Sequence, residues 1–233
     1  AAQLYEEYQT LLEMQNSLDF DDMLLLVYRL FTEHPDVLER YRDHPAWQEH
    51  DLLGHFWLAR GQAESSLELF DEAVYSFQEA KKVFYDLGED FWLYRTNHLI
   101  GYTYYLQARF KEAEQYLSQS FNGFSKLLLE QQEISSRKYR QMLQGLQLSL
   151  GDLAEIFGYT GQFEKAIRVA EIVLDIARNL PSNTLEVARA RTIVGHQHAL
   201  AGHAIDARHN LVEGEHLLRG IRNRPIIGRN RTD

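Results

Sequence analysis

Apolar residues recur every three or four positions along most of the chain, which is the spacing of one face of an α-helix. The first stretch places Leu4, Tyr8 and Leu11 on one face, and the next stretch places Phe20 and Leu24 together. Only four prolines interrupt the 233 residues, so helices can occupy nearly all of the sequence. The pattern predicts an all-α protein with two helices and a short third one at its amino-terminal end.

From about residue 47 the sequence repeats itself, and three stretches align without a gap. They are IGYTYYLQARFKEAEQYLSQS from Ile100, LAEIFGYTGQFEKAIRVAEIV from Leu153 and VGHQHALAGHAIDARHNLVEG from Val194. In each stretch a small residue near the start is followed seven positions later by a second small residue, and five positions after that by alanine. These alanines are Ala113, Ala166 and Ala207.

Small residues at these offsets predict pairs of antiparallel helices joined by tight turns, because two helices approach closely only where small side chains face each other. The predicted contacts are Gly101 with Ala113, Ala154 with Ala166, and Gly195 with Ala207. Ala108, Gly161 and Gly202 would form the turns, where glycine accepts a positive φ at little cost. Phe110 and Phe163 would close the end of a pair against its neighbour.

A fourth copy, LFDEAVYSFQEAKK, keeps only the second half of the pattern, with Ala73 in the alanine position. Gly54 precedes Ala73 by nineteen residues instead of twelve. Either the segment RGQAESSLEL forms an enlarged turn, or Gly54 is not the partner of this alanine.

The order of small, aromatic and alanine positions resembles the tetratricopeptide repeat (TPR) family over residues 47–220. The resemblance implies a helical-repeat, right-handed superhelix of antiparallel helix pairs. The repeat alanines are 40, 53 and 41 residues apart, whereas the common unit has about 34 residues, so longer helices are expected. In the longest interval, EQQEISSRKY is expected to be a long loop or an overhanging helix end.

Residues 5–42 resemble a different family, the superfamily 1 DNA helicases of the UvrD and PcrA type. The core LDFDDML, followed by LF and HPDVLERY, is similar to the segment that precedes the Walker B strand in those enzymes. The apolar strand ending in Asp-Glu does not follow here, and the sequence contains no G-x-x-x-x-G-K-[ST] loop to hold phosphates. We therefore expect that this chain alone is not an ATP-driven motor, and we assign residues 1–46 to a helical cap on the repeats at 47–220, followed by a basic tail at 221–233.

Composition narrows the classes of partner. A formal net charge of −10 disfavours nucleic acid and anionic membranes as partners. The chain has no cysteine, and its longest apolar run is too short to span a bilayer, so we expect a cytoplasmic protein.

No residue pattern indicates catalysis or a cofactor. Three aspartates could bind a metal, but acids in the first turn of a helix are also stabilised by the helix dipole; they are Asp19, Asp21 and Asp22. A second group is the histidines His196, His198, His203, His209 and His216. His196 and His198 are two positions apart and point to different faces of a helix, so no metal site is predicted. The arginines of the tail are expected to be solvated.

The remaining candidate for function is a surface. If the first helix of each pair lines the concave wall of the repeats, the residue after each small position projects into this groove, where a peptide or partner helix would bind. The expected partner-binding residues are His55, Tyr102, Glu155 and His196, accompanied by Arg95, His98, Tyr105 and Arg189. Tyrosine and arginine are enriched at binding hot spots. The sequence thus predicts a non-enzymatic scaffold for a protein or peptide ligand; the alternatives are a helicase fragment carrying repeats and a peptide-sensing bacterial regulator.

Overall fold

The computed structural model describes residues 52–130, 136–179 and 184–222, together with Glu33, His34 and Asp36. These stretches contain eight helices and no strand, in agreement with the all-α prediction. The helices are α1 (Leu52–Ser66), α2 (Phe70–Asp86), α3 (Asp90–Leu106), α4 (Phe110–Glu130), α5 (Ser136–Tyr159), α6 (Phe163–Asn179), α7 (Thr184–Leu200) and α8 (Ala204–Arg222). The helices predicted before Pro35, the three aspartates near residue 20 and the tail beyond residue 222 lie outside the described residues.

The helices form four consecutive pairs, each joined by a three-residue turn. One residue of every such turn has a positive φ, namely Glu68, Ala108, Gly161 and Gly202. The turns predicted at the last three positions are therefore confirmed. Because the same turn recurs at Glu68, the first pair has the same construction as the others.

The repeat alanines are packed inside the helix pairs, as predicted. Ala73, Ala113 and Ala166 have no exposed surface, and Ala207 is 6% exposed. Each of them is the fourth residue of the second helix of its pair. The sequence spacing therefore identified the position at which the two helices of a pair come close together.

The first pair differs from its sequence-based assignment. Helix α1 runs without a break to Ser66, so most of the segment expected to be an enlarged turn is helical. Gly61 precedes Ala73 by twelve residues, and a Cβ atom on Gly61 would lie 2.6 Å from the ring of Phe77. Gly61, and not Gly54, is therefore the small residue of the first repeat.

The small residues face the second helix one turn beyond the alanine. A Cβ atom on Gly101 would lie 2.7 Å from Leu117 Cγ, and one on Gly195 would lie 2.8 Å from Leu211 Cγ. Leu117 and Leu211 each follow the repeat alanine by four residues. The predicted close approach is present, but its nearest atoms belong to these leucines and not to the alanine side chains.

The chain divides into two compact units, residues 1–96 and 97–233. In the first unit Phe77 and Phe84 are buried between α1 and α2, and buried Glu64 bonds to Arg60 and Ser76. In the second unit α4 packs on α5, α5 on α6, α6 on α7 and α7 on α8. Helices α4 and α5 are the longest of the described helices, at 21 and 24 residues, and α5 includes the end of the EQQEISSRKY segment.

No described helix is both long enough and apolar enough to cross a membrane.

Candidate partner-binding face

The first helices of successive pairs touch one another in the second unit. Helix α5 contacts α7 directly, and side chains of α3 bond to side chains of α5. We call the first helix of each pair its A helix, and the surface along α3, α5 and α7 the A-helix face. It is defined by His98, Tyr102, Tyr105, Asp152, Glu155, Tyr159 and His196.

At one end of this face a buried histidine joins α3 to α5. His98 Nε2 lies 2.9 Å from Asp152 Oδ2, and the His98 side chain is 7% exposed. The other ring nitrogen, Nδ1, has no hydrogen-bond partner among the described residues. The ring of Tyr102 stacks on His98 with a centroid distance of 6.3 Å and an angle of 12°. The histidine thus ties two repeats together and supports an exposed tyrosine.

Aromatic rings form the middle of the face. Tyr105 of α3 and Tyr159 of α5 have ring centroids 6.2 Å apart, and Phe110 stacks on Tyr159 at 6.1 Å and 9°. Burial raises the pKa of the Tyr105 phenol, and the neighbouring Tyr159 and Glu155 raise it further. Tyr105 is therefore a neutral hydrogen-bonding group at physiological pH.

A contact between a histidine and a carboxylate joins α5 to α7. His196 Nδ1 lies 2.8 Å from a carboxylate oxygen of Glu155. The ring of Tyr159 meets the His196 ring edge-on at 6.0 Å. Tyr159 therefore contacts the A helices of the repeats on both sides of it.

The structure brings together five of the eight residues proposed from the sequence, which are His98, Tyr102, Tyr105, Glu155 and His196. Arg189 lies on the same helix as His196, two turns earlier, and its side chain is exposed. His55 and Arg95 belong to the first unit, where His55 packs edge-on against Trp92 at 4.4 Å and Arg95 is half-buried.

Correcting the register of the first repeat changes the position assigned to His55. Counted from Gly61, the residue equivalent to Tyr102 is Gln62, which is exposed. His55 instead occupies the repeat position of Arg95 and Arg189, six residues before the small residue. His55 was predicted as a partner-binding residue only because it follows Gly54, which the sequence offered as the small residue of the first repeat.

Sequence reasoning missed Asp152 and Tyr159, both of which contact residues it had identified. Asp152 lies two positions before Ala154, and Tyr159 lies five after it. Neither offset is special within one repeat, because their partners lie on neighbouring A helices. These two residues could have been suggested only by asking which polar residues of one repeat face polar residues of the next repeat.

Phe110 and Phe163 behave differently although they share a repeat position. Phe110 packs on the next A helix through Tyr159, as expected. Phe163 is 38% exposed, so the predicted closure at this position applies to the second repeat and is weaker in the third.

The carboxylates of the face contact histidines, whereas part of its aromatic surface is exposed. His98 is paired with Asp152, and His196 with Glu155. Tyr102 and Tyr159 remain 38% and 51% exposed. The face can therefore present aromatic surface and phenol hydroxyls, while each of its two carboxylates contacts a histidine side chain of the same face.

The family described as the UvrD/REP helicase N-terminal domain matches residues 1–46. This is the segment in which the sequence resembles helicases, and it covers less than half of the chain. Among curated proteins, none matches the sequence.

Several solved structures share the fold. The apo form of RapI has a TM-score of 0.64 at 14% identity, with 94% of this chain and 60% of that chain covered. A Rap protein complexed with Competence and Sporulation Factor has a TM-score of 0.60 at 17% identity over the same shares. BtubC from P. vanneervenii has a TM-score of 0.62 at 16% identity, covering 74% of this chain and 66% of that chain.

These structures are TPR-like repeat proteins, and the chain therefore has a TPR-like helical-repeat fold. The nearly identical TPR-like repeats of a Podosopora anserina protein named for the kinesin light chain also match, with a TM-score of 0.55 at 16% identity. At such identities the likeness shows the fold alone. This chain spans between 60% and 66% of the Rap and BtubC chains.

Proposed function

We propose that the chain is a non-enzymatic scaffold that binds a protein or peptide on the A-helix face. The observation that carries this proposal is the exposure of Tyr102 and Tyr159 on a surface that three consecutive repeats build together. Tyrosine provides a large contact area with few rotatable bonds, and it is enriched among residues that dominate binding energy.

The contacts between the histidines and carboxylates of the face suggest the chemistry of the partner. Because Asp152 and Glu155 already have histidine partners, a strongly basic ligand would have to compete with them. Tyr102, Tyr159 and Leu148 offer apolar surface, since Leu148 is 42% exposed one helical turn before Asp152. We infer a peptide segment that places an aromatic or aliphatic side chain against the two tyrosines.

Arg189 would add a preference for a negatively charged group on the peptide. Its side chain is exposed on α7, and within the described part of the chain it forms no ion pair. An acidic side chain or a terminal carboxylate on the peptide would match it. The expected ligand therefore combines one large apolar residue with one negative group.

The complex of a Rap protein with Competence and Sporulation Factor supports a binding role for this fold. It also supports the alternative that this chain is a peptide-sensing bacterial regulator. It does so by analogy of fold, because the identity is 17%. The location of the binding face on this chain rests on its own residues.

A peptide selection tests the proposal. The full 233-residue chain would be used to select binders from a phage-displayed library of random peptides, and their affinity would be measured by fluorescence anisotropy. Selected peptides should be enriched in an aromatic or aliphatic residue near an acidic one. Arg189→Glu should weaken binding by at least about tenfold, since charge reversal at an interface replaces attraction with repulsion.

Arg168→Glu is the matched control, because Arg168 is an exposed arginine on α6, the second helix of its pair. Its effect should stay within about twofold, a difference of less than 0.5 kcal/mol. Equal losses in both variants would show attraction to overall charge and would contradict binding at the A-helix face.

The match of residues 1–46 to the UvrD/REP helicase N-terminal domain favours a second candidate, a piece of an ATP-dependent helicase or related NTPase. This candidate predicts that the chain binds ATP or single-stranded DNA. Equilibrium titration of the full chain with each ligand distinguishes the two functions. Saturable binding of either ligand would favour the helicase candidate. If the chain binds neither ATP at millimolar concentration nor single-stranded DNA at micromolar concentration, the helicase candidate is wrong for this chain.

A further inference from the structure

The turn between α7 and α8 brings two histidine rings together. The backbone N–H of His203 donates a hydrogen bond to the carbonyl oxygen of His198 at 2.8 Å, across the positive-φ residue Gly202. This closing bond is typical of a helix that ends in a left-handed residue. The two Nδ1 atoms lie 3.3 Å apart, so the backbone of the turn itself holds the imidazoles side by side.

A carboxylate completes the group. Asp206 lies in the first turn of α8, three residues after His203. One ligand atom from each of His198, His203 and Asp206 lies within 4.8 Å of the others. His203 and Asp206 are exposed and His198 is partly exposed, so the group is open to solvent.

The same three positions in the second repeat also bring their side chains together. There the residues are Tyr104, Arg109 and Glu112, at the same spacing of five and three. The Arg109 guanidinium lies 4.5 Å from the centre of the Tyr104 ring and 2.7 Å from a carboxylate oxygen of Glu112. This turn therefore directs its three side chains toward one point in space.

We propose that His198, His203 and Asp206 form a binding site for a divalent transition metal ion such as Zn²⁺. Two imidazoles and a carboxylate are a common ligand set for Zn²⁺. In a tetrahedral site with Zn–N bonds of about 2.0–2.1 Å, the ligand atoms are about 3.3–3.4 Å apart. The two Nδ1 atoms already have this separation.

The remaining adjustments are small. Asp206 is exposed, so its carboxylate can rotate toward the two nitrogens. Water would take the fourth position, because the group faces solvent. The histidines expected from the sequence to diverge do so, since His196 turns to Glu155 while His198 turns to His203.

Zn²⁺ titration of the full chain by isothermal calorimetry, with Co²⁺ absorption as a second readout, tests the site. The wild type should bind one Zn²⁺ through this group, and bound Co²⁺ should show the intense visible absorption of a tetrahedral complex. His203→Ala and Asp206→Asn should each weaken Zn²⁺ binding by at least about tenfold. Removing a residue that only hydrogen-bonds to a metal ligand already costs about tenfold or more, so removing a ligand should cost at least as much.

His209→Ala and His216→Ala are the matched controls, because both histidines are exposed on α8 and lie outside the group. They should leave the affinity unchanged. Zinc should also raise the thermal unfolding midpoint of the wild type and of both controls but not of His203→Ala, because the ion joins α7 to α8.

Three results would overturn the proposal. One is the absence of Zn²⁺ binding, which would mean that the two imidazoles only contact each other. Another is equal affinity in the wild type and in His203→Ala, which would place the ion at other histidines. The last is a larger loss in His209→Ala than in His203→Ala.

Discussion

His196 Nδ1 lies 2.8 Å from a carboxylate oxygen of Glu155, and this contact joins residues 41 positions apart on the first helices of consecutive repeats. Together with the pair of His98 and Asp152 it links α3, α5 and α7 through side chains. Contacts within a helix pair lie inside one repeat, whereas these two contacts join side chains of consecutive repeats on one surface.

Replacing Gly61 by alanine should destabilise the first helix pair. The added Cβ would lie 2.6 Å from a ring that is 1% exposed, so Phe77 has little room to move. Overpacking of this kind costs about 1–3 kcal/mol in the free energy of unfolding, which urea denaturation measures. Gly220→Ala is the control, since nothing lies within 4 Å of its added Cβ and the change should stabilise helix α8 by up to about 1 kcal/mol.

A further test of this contact uses both partners. Gly61→Ala combined with Phe77→Leu should be less destabilised than the sum of the two single changes, because the smaller side chain makes room for the methyl group. Strict additivity would mean that Gly61 and Phe77 do not form the tight contact of the first repeat.

Removing Asp152 should destabilise the protein more than removing Glu155. Asp152→Ala leaves His98 Nε2 without its partner in a side chain that is 7% exposed, and a buried unpaired group costs about 1–3 kcal/mol. Glu155→Ala frees His196, which is 37% exposed and can bond to water, so the loss should stay below about 1 kcal/mol. Chemical denaturation at neutral pH compares the two, and the reverse order would contradict the assigned burial of the two pairs.

The raised pKa of the Tyr105 phenol should make the free energy of unfolding depend on pH in the alkaline range. Burial raises its pKa in the folded protein, whereas in the unfolded chain it ionises near its usual value of about 10. Above that pH the unfolded state binds fewer protons than the folded state, so the free energy of unfolding falls as the pH rises. Below it both states are protonated, and the contribution is constant.

Tyr105→Phe removes this group, so the variant should lose less stability than the wild type between about pH 8 and about pH 11. Tyr85→Phe is the control for removing a tyrosine hydroxyl, because Tyr85 is 71% exposed and lies in the first unit. Identical slopes for the wild type and Tyr105→Phe would show that the folded protein does not favour the neutral phenol.

The construction of each repeat could be predicted because it depends on spacing within about twenty residues. Ala113 and Ala166 could be found from their distance to a preceding small residue, and both are fully buried. The first repeat was harder, because α1 contains both Gly54 and Gly61. A constant offset of twelve residues from Ala73 selects Gly61, and the structure agrees.

The candidate site could be predicted only in part, because its contacts cross from one repeat to the next. Tyr102 and Glu155 were found from their position after a small residue. Asp152 and Tyr159 face their partners only when the pairs are stacked, and no period along the sequence encodes that geometry. The approach of His198 to His203 likewise depends on the backbone path of a turn, which hydrophobic periodicity does not describe.

The most direct test of binding on the A-helix face compares two exposed tyrosines. Tyr159 is 51% exposed at the centre of this face, and Tyr85 is 71% exposed at the end of α2. The dissociation constant of one selected peptide would be measured for the wild-type chain, Tyr159→Ala and Tyr85→Ala. We predict that Tyr159→Ala weakens binding by at least about tenfold, equal to 1.4 kcal/mol, while Tyr85→Ala changes it by less than about twofold. Wild-type affinity in Tyr159→Ala, with its helical content intact, would contradict the proposed function.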